Sequence, residues 1–304
     1  MPLPAKKENS DHSNRVKIKV HTLNSLAKTK NGGNPAGVVL EADYLTEDLM
    51  HKIANKVGFS ETAFVQKSDK AHFKVRFFTT REEVDLCGHA TIAAFFLLKD
   101  KGLIKSGQYR LETKAGTLDV DVRDNRTVFM VQVLSQFFEK ITGNEITGCL
   151  NMSEDQFLPD LPIQIVSTGL RDILVPVKNL KTLLSLKPDF EKISKVSKKY
   201  NVVGFHVFSL ETKFRSTAHC RNFAPLYGIP EESATGTSSG ALSCYLFKYG
   251  KVTKDQVGHL VFEQGYSMNK PSEILAQLRI EDREILEVQV GGTAIIKKEM
   301  EILI

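Results

Sequence analysis

The sequence predicts an α+β fold of two similar halves, each a curled mixed β-sheet around one central apolar helix. Three observations support this. The 304 residues exceed the size at which one hydrophobic core usually stops growing. Two predicted helices, 89–101 and 241–249, have little or no polar face, so other structure must enclose them. The order of strand, glycine turn and apolar helix occurs twice, which predicts two pseudo-symmetric domains.

The N-terminal segment is polar, charged and contains two prolines, so we expect residues 1–15 to be a disordered leader without a signal peptide. Period-two alternation predicts the first strand over 16–23. A turn cluster follows at 31–37. Apolar spacing over 46–57 then predicts a helix with Thr46 as its N-cap.

The rest of the first half contains further strands around the first apolar helix. Strands are predicted over 61–65 and 73–78, before the helix 89–101. Alternating residues after this helix predict a hairpin over 109–122 and a strand over 127–133.

The second half follows a similar order of elements. We predict, in sequence, strands at 163–167 and 173–177, a helix at 187–199, strands at 204–209 and 217–223, a glycine turn at 234–240, the helix 241–249, and strands near 259–263, 284–290 and 293–297. The expected domains are 16–128 with 292–304, and 129–291.

Composition excludes several classes of protein. Forty-one basic and 36 acidic residues give a net charge of +5. The lysine clusters lack interleaved aromatic residues, so we expect solvated faces rather than a nucleic-acid site, and a small anionic substrate suits the balance. No apolar run reaches the ~20 residues of a membrane span. The four cysteines have no zinc-type spacing, which predicts no metal, free thiols and a cytoplasmic location.

The two glycine turns, 85–91 and 233–240, each lead into an apolar helix. A helix start has unpaired N–H groups and roughly half a positive elementary charge. Two such starts in one cleft would bind a carboxylate and stabilise negative charge that develops on a carbon losing its proton. The alternative is that Gly88, Gly236 and Gly240 only relieve steric crowding.

An ordered series of segments resembles the PhzF-like family, a branch of the diaminopimelate-epimerase fold. They are Asn34-Pro-Ala-Gly (34–37), Gly58-Phe-Ser-Glu-Thr-Ala-Phe-Val (58–65), 77–91 with its Asp-Leu-Cys-Gly-His-Ala-Thr, Arg221-Asn-Phe-Ala-Pro (221–225), Glu232-Ser-Ala-Thr-Gly-Thr (232–237), 263–272 and Val290-Gly-Gly (290–292). The resemblance extends from about Val16 to the end of the chain. An ordered series is far more specific than any single motif.

The resemblance implies a diaminopimelate epimerase-like fold, a homodimer without an organic cofactor, and an active site between the domains. The implied activity is a cofactor-independent isomerase that moves a proton on a small carboxylate-bearing metabolite. It places the catalytic acid/base on Glu61 and an active-site histidine on His89. Glu232 stands where the family usually has aspartate, and Thr237 where it often has serine. The implied substrate-binding residues are Asn34, Cys87, Gly88, Ala90, Thr235 and Gly236.

Two alternatives stay open. In diaminopimelate epimerase each of the two turns carries a cysteine, whereas this chain has Cys87 and Thr235, so a two-thiol racemase is disfavoured. An epimerase that uses Cys87 with Glu61 remains possible, and Cys87 is either a low-pKa thiol or a small buried residue. The second alternative is a binding or regulatory protein without turnover. Its main support is that Glu232-Ser233 stands in place of Asp-Pro.

Overall fold

The structure is a computed structural model that describes residues 16–304, so the leader predicted over 1–15 lies outside the described residues. In this part of the chain, eighteen strands form one hydrogen-bonded network with six α-helices against it. The strands are β1 Lys17–Ser25, β2 Asn34–Val39, β3 Glu61–Gln66, β4 Phe73–Phe78, β5 Glu83–Val84, β6 Gly107–Thr113, β7 Gly116–Val122, β8 Val128–Gln132, β9 Gln136–Lys140, β10 Gln164–Ser167, β11 Arg171–Pro176, β12 Gly204–Ser209, β13 Ala218–Ala224, β14 Ile229–Glu232, β15 Leu260–Gln264, β16 Ser272–Glu281, β17 Glu284–Gly292 and β18 Ala294–Leu303. The helices are α1 Glu47–Val57, α2 Gly88–Asp100, α3 Gly143–Leu150, α4 Leu180–Ser185, α5 Phe190–Tyr200 and α6 Gly236–Lys248.

The two halves repeat one topology. In the first, β1 and β2 are antiparallel, β2 and β3 parallel, β3 and β4 antiparallel, β4 and β6 parallel, and β6, β7 and β8 antiparallel. In the second, β10, β11, β12, β13, β15, β16 and β17 pair in the same sequence of directions. The short strands β5 and β14 are antiparallel partners of β4 and β13. Two similar halves were predicted, and the α+β fold class is confirmed.

Three pairings join the halves into one sheet. β8 and β17 are antiparallel neighbours. β9 follows β8 along the chain but pairs with β10, and β18 follows β17 but pairs with β1. The chain therefore crosses between the halves near 133–135 and again at residue 293. The domain bounds proposed from the sequence, 16–128 with 292–304 and 129–291, stay a prediction.

The two apolar helices lie at the centres of the halves, as predicted. Every residue from Ala90 to Leu98 of α2 is buried, and so is every residue from Ser238 to Leu246 of α6. Each large apolar side chain enclosed in this way contributes about 1.5–3 kcal/mol. By contrast, α5 buries only Ile193 and Ser197 and exposes its lysines to solvent, as expected for a solvated face.

Glycine lies at two places where the structure differs from the prediction. β2, for which no strand was predicted, begins at Asn34 inside the predicted turn 31–37, and Gly37 lets β3 approach: a Cβ there would lie 2.8 Å from Thr62 Oγ1. α6 begins at Gly236 rather than Ala241, which places Gly240 inside the helix. A Cβ at Gly240 would lie 3.0 Å from Val290 Cγ1, so its absence allows α6 to pack closely on β17.

Several elements were not predicted at all, namely β2, β5, β9, β14, β16, α3 and α4. Within residues 16–304, no helix is both long enough and apolar enough to cross a membrane.

Candidate active site

A cavity of about 190 Å³ lies between the two halves, and the starts of α2 and α6 both line it. Gly88 is the first residue of α2 and Gly236 the first of α6. The N-cap residues, Cys87 and Thr235, accept no side-chain hydrogen bond from either first turn. The first N–H groups of both helices therefore lack side-chain caps at the cavity, which suits a bound anion.

Glu61 contributes a carboxylate to this cavity from the first residue of β3. Its Oε2 atom is buried and has no hydrogen-bond partner within residues 16–304. The nearest basic atom is His89 Nε2, at 3.3 Å. His89 is the second residue of α2, and its backbone carbonyl accepts a hydrogen bond of 2.6 Å from Ser25. A buried carboxylate oxygen without a donor is available to accept a proton from a ligand.

His89 is surrounded by three of the other predicted residues. Its Nδ1 atom lies 3.4 Å from Asn34 Nδ2 and 3.4 Å from Cys87 Sγ. The imidazole therefore connects the amide and the thiol to the Glu61 carboxylate, and these contacts fix its orientation.

Glu232, from the second half, lines the same cavity and joins the two halves. Its Oε1 accepts a hydrogen bond of 2.9 Å from Asn34, and its Oε2 accepts one of 2.7 Å from Thr235. Gln264 donates to the Glu232 backbone carbonyl at 2.8 Å. Burial raises the pKa of Glu232. The neighbouring Ser233 also bonds across the halves, donating to the Gly33 carbonyl at 2.9 Å.

Cys87 is buried beside the carboxylates. Burial, together with the negative charge of Glu61, raises the pKa of its thiol well above the usual range. A nucleophilic or basic cysteine needs the opposite shift, toward the thiolate. Two roles were predicted for Cys87, a low-pKa thiol or a small buried residue. The structure favours the small buried residue.

The structure brings most of the predicted site residues to this one cavity. Those that line it are Glu61, Cys87, Gly88, His89, Glu232, Thr235, Gly236 and Thr237. Asn34 and Ala90 are not among the lining residues: Asn34 is hydrogen-bonded to Glu232, and Ala90 is fully buried within α2.

Glu61, Cys87 and His89 could also hold a metal ion. One ligand atom from each lies within 4.8 Å of the others, and carboxylate, thiolate and imidazole are the ligand types of zinc sites. Sequence spacing did not indicate this cluster because Glu61 comes from a different element than Cys87 and His89.

The sequence analysis missed a polar group at the α6 end of the cavity. Asp172, Asn222 and Ser238 all line it. Ser238 donates to Asp172 Oδ2 at 2.5 Å, and Asn222 lies 3.3 Å from Ser238 Oγ and 3.2 Å from His206 Nδ1. Burial raises the pKa of Asp172 to about 7 and lowers that of His206 to about 3. The available signals were an acidic residue beside the apolar run 173–176 of β11, and the asparagine of the family-like motif 221–225.

Comparison with known proteins identifies relatives along nearly the whole chain. Residues 23–300 match the family described as phenazine biosynthesis-like protein, PhzC-PhzF. An uncharacterized isomerase of Bacillus subtilis, YfhB, is 36% identical over 270 residues, which are 86% of this chain and 91% of that protein. Trans-2,3-dihydro-3-hydroxyanthranilate isomerase of Pseudomonas fluorescens is 26% identical over 279 residues, 90% of this chain and 95% of that protein.

A solved structure of the same family also matches this chain. The crystal structure of a Bacillus anthracis phenazine biosynthesis protein of the PhzF family superposes with a TM-score of 0.85 at 34% identity, and covers 95% of this chain and 100% of that one. Both the family match and the close relatives extend across the two halves that enclose the cavity. This protein is therefore an isomerase of the phenazine biosynthesis-like, or PhzF, family.

Proposed function

We propose that the protein is a cofactor-independent isomerase in which Glu61 transfers a proton on a small carboxylate-bearing metabolite held between the two halves. The observation that carries this proposal is the buried Glu61 Oε2, which lacks a hydrogen-bond partner in the described chain and faces a cavity that both helix starts line.

The helix starts are the groups that would hold the substrate carboxylate. The residues lining the cavity in the described chain include no lysine and no arginine. A negative charge bound there would be met by the N–H groups at Gly88 and Gly236 and by the two helix dipoles. The same groups would stabilise the negative charge that develops when a neighbouring carbon loses its proton.

Proton transfer would use Glu61 twice. Glu61 Oε2 takes the proton as the C–H bond breaks, the electron pair moves into the conjugated system of the substrate, and the carboxyl group returns the proton to a different carbon. No net proton or electron is gained or lost. His89, whose Nε2 lies 3.3 Å from Glu61 Oε2, can hydrogen-bond the substrate. The relative named for an anthranilate-type substrate supports a carboxylate metabolite.

The test is solvent deuterium uptake. Small carboxylates are screened for thermal stabilisation of the protein and for deuterium incorporation in heavy water, and binders are compared between wild type and Glu61→Gln. Glutamine keeps the size but not the base, so we expect uptake to fall by about 10²–10⁴-fold. The control is Glu191→Gln, an exposed carboxylate paired with Lys195. Uptake that is unchanged in Glu61→Gln would contradict the mechanism.

The epimerase alternative, with Cys87 as one base, has its own test. The raised thiol pKa speaks against it. We expect Cys87→Ser to lose far less deuterium uptake than Glu61→Gln does. Equal loss in both variants would support a thiol base. Ligand binding without any uptake in wild type would instead favour a non-catalytic binding protein.

We further propose a cytoplasmic homodimer that works without an organic cofactor or metal. All four cysteines, which lie within the described residues, are free thiols, as a reducing compartment would leave them. The dimer rests on the family resemblance and is tested by light scattering. If the Glu61, Cys87 and His89 cluster needs a metal, treatment with a chelator will abolish uptake.

A further inference from the structure

Asp172 is a buried carboxyl group that the proposed proton transfer does not use. It is the second residue of β11, opposite Gly204 of β12, and lines the cavity beside the start of α6. Only 2% of the residue is exposed. It therefore belongs to the same cavity as Glu61, but to the wall formed by the second half.

The two oxygens of Asp172 have different surroundings. Oδ2 accepts the hydrogen bond from Ser238, the third residue of α6. Oδ1 is buried and has no hydrogen-bond partner anywhere in residues 16–304. A buried polar atom is rarely left unpaired without a reason such as a missing ligand. A proton on Oδ1 would make this oxygen a hydrogen-bond donor while Oδ2 keeps its bond to Ser238.

Burial is what favours the neutral form of Asp172, whereas two nearby donors, the Ser238 hydroxyl and the Gly204 backbone N–H, favour its ionised form. Glu232, Glu61, His89 and Cys87 are the other titratable groups that line the cavity. On β12, His206 is neutral, because burial lowers its pKa to about 3. Arg171, next on β11, points away and stacks on Phe138, with its guanidinium 4.1 Å from the ring centre.

The other strand at this wall supplies no cation either. Arg221, next to Asn222 on β13, is bound by both oxygens of Glu231 at 2.9 Å. Consecutive residues of a strand point to opposite faces, so Arg221 faces away from the side of β13 that carries Asn222. Burial raises the pKa of Asp172 to about 7, consistent with the absence of a partner cation.

We propose that Asp172, in its protonated form, donates a hydrogen bond from Oδ1 to the carboxylate of the substrate at the start of α6. This inference rests on the proposed function, because it assumes that a carboxylate binds between the helix starts. It makes the cavity selective for an anion over an uncharged amide, since a protonated acid donates well to a carboxylate. It also makes binding depend on pH, because the ionised form has no proton to donate and repels an anion.

The experiment measures binding by calorimetry from about pH 5.5 to about pH 8.5, a range that spans the titration of Asp172. The probes are anthranilate, 1-cyclohexenecarboxylate and L-proline, each paired with its carboxamide. In wild type we expect carboxylate affinity to fall above neutral pH, approaching about tenfold per pH unit. The carboxamides should show no such fall. In Asp172→Asn the amide N–H replaces the acid as donor and does not titrate, so the fall should disappear.

Two controls separate this inference from the proposed function. Glu61→Gln should lose deuterium uptake but keep the pH dependence of carboxylate binding. If no carboxylate binds wild type even at the acidic end, the carboxylate pocket itself is wrong, and with it the proposed function. If carboxylates bind but Asp172→Asn keeps the wild-type pH dependence, only the role of Asp172 is overturned.

A second measurement serves if Asp172→Asn does not fold. Infrared spectra of a Glu61→Gln/Glu232→Gln background, which removes the other two carboxyl groups that line the cavity, should show a protonated carboxylic acid band near neutral pH that shifts when a carboxylate binds. Absence of that band, or a band that ligand does not shift, would contradict the proposal.

Discussion

Glu232 and Ser233 stand where the resemblance to the PhzF-like family leads us to expect aspartate and proline, and each makes a hydrogen bond to the first half. The longer glutamate reaches Asn34 of the first half and Thr235 of its own half at once. The Ser233 hydroxyl bonds to the Gly33 carbonyl, a contact that proline has no donor to make. Glu232 and Ser233 therefore connect the two halves at the cavity.

Shortening this carboxylate is the first prediction. In Glu232→Asp the oxygens can no longer reach both partners, and a displacement of about 1 Å at an active site can cost on the order of a hundredfold in rate. We expect kcat/KM to fall by about 10–100-fold with little change in melting temperature. Glu284→Asp, on the exposed end of β17, is the matched control. Equal activity in both variants would contradict the assignment of Glu232 to the site.

The second prediction concerns stability and the pKa of Asp172. The folded-state value is about 7, against an ordinary value of 3.8. Between these values the folded protein binds more protons than the unfolded chain, so this group makes stability fall as pH rises, and its full cost is present above neutral pH. Asp172→Asn should remove that cost. The change in the free energy of unfolding that the substitution causes should therefore be more favourable above neutral pH than in acid, by at most about 4 kcal/mol. Urea titrations at both pH values measure the difference; a variant effect that does not change with pH would contradict it.

The residues of the site were predictable to different degrees. Glu61, His89 and Glu232 were assigned because the motifs around them resemble those of the family. Asp172 was missed because it lies on a buried strand, where a polar side chain gives no periodic pattern, and Asn222, although part of the family-like motif 221–225, was not assigned to the site. Only the three-dimensional pairing of β11, β12 and β13 brings them to the start of α6.

At the scale of elements, the uncapped helix starts give the third prediction. A Cβ on Gly88 would meet no protein atom within 4 Å, so alanine there enters only the cavity. We expect Gly88→Ala to fold with unchanged or slightly higher stability, by up to about 1 kcal/mol, and to raise KM at least about tenfold by blocking the anion position. The control is Gly258→Ala, an exposed position that also meets no atom within 4 Å. If both variants have the same KM, the anion does not bind at the start of α2.

Glu263 provides the fourth prediction, because it fixes the loop between β12 and β13. Its carboxylate accepts bonds from the Lys213 and Phe214 backbones and from Ser216, and lies 2.6 Å from His219. Burial alone would raise its pKa, but these hydrogen bonds lower it to about 2. The stabilisation is present above the ordinary pKa of 4.5 and is lost as pH falls towards about 2.

Glu263→Gln removes the charge that these donors bind. Acid titrations followed by circular dichroism should show the variant unfolding at higher pH than wild type, with lower stability near neutral pH by about 1–3 kcal/mol. Glu287→Gln, whose partner Arg279 is exposed, controls for the loss of one carboxylate. Identical acid transitions for wild type and Glu263→Gln would contradict this role.

The elements themselves were predictable where composition was extreme. α2 was recognised because almost every residue is apolar. The start of α6 was missed because Gly236-Thr-Ser-Ser-Gly contains weak helix formers, and burial against β17 overrides that propensity. β2 was not predicted because Asn34-Pro-Ala-Gly resembles a turn, whereas its backbone pairs with β1.

At the scale of the whole molecule, repetition along the sequence predicted two halves but not how they are joined. The joining pairs are β8 with β17, β9 with β10 and β18 with β1. Pairings between residues so distant in sequence leave no local pattern, so only the folded structure displays them.

The strands that pair with the other half, β9 and β18, give the fifth prediction. Because β18 completes the sheet of the first half and is covalently part of the second, neither half should unfold alone. We expect calorimetry and circular dichroism to report one coincident transition, with equal calorimetric and van't Hoff enthalpies. Two separate transitions would contradict this expectation.

The pairing of β1 with β18 also determines when the protein can fold during its synthesis. β1 is paired along its whole length, from Lys17 with Leu303 to Ser25 with Ala294. At translation rates of about 5–20 residues per second, its partner leaves the ribosome roughly 15–50 s later. Throughout that interval the nascent chain presents an open strand edge, so we expect chaperones to be bound to it until the last strand arrives.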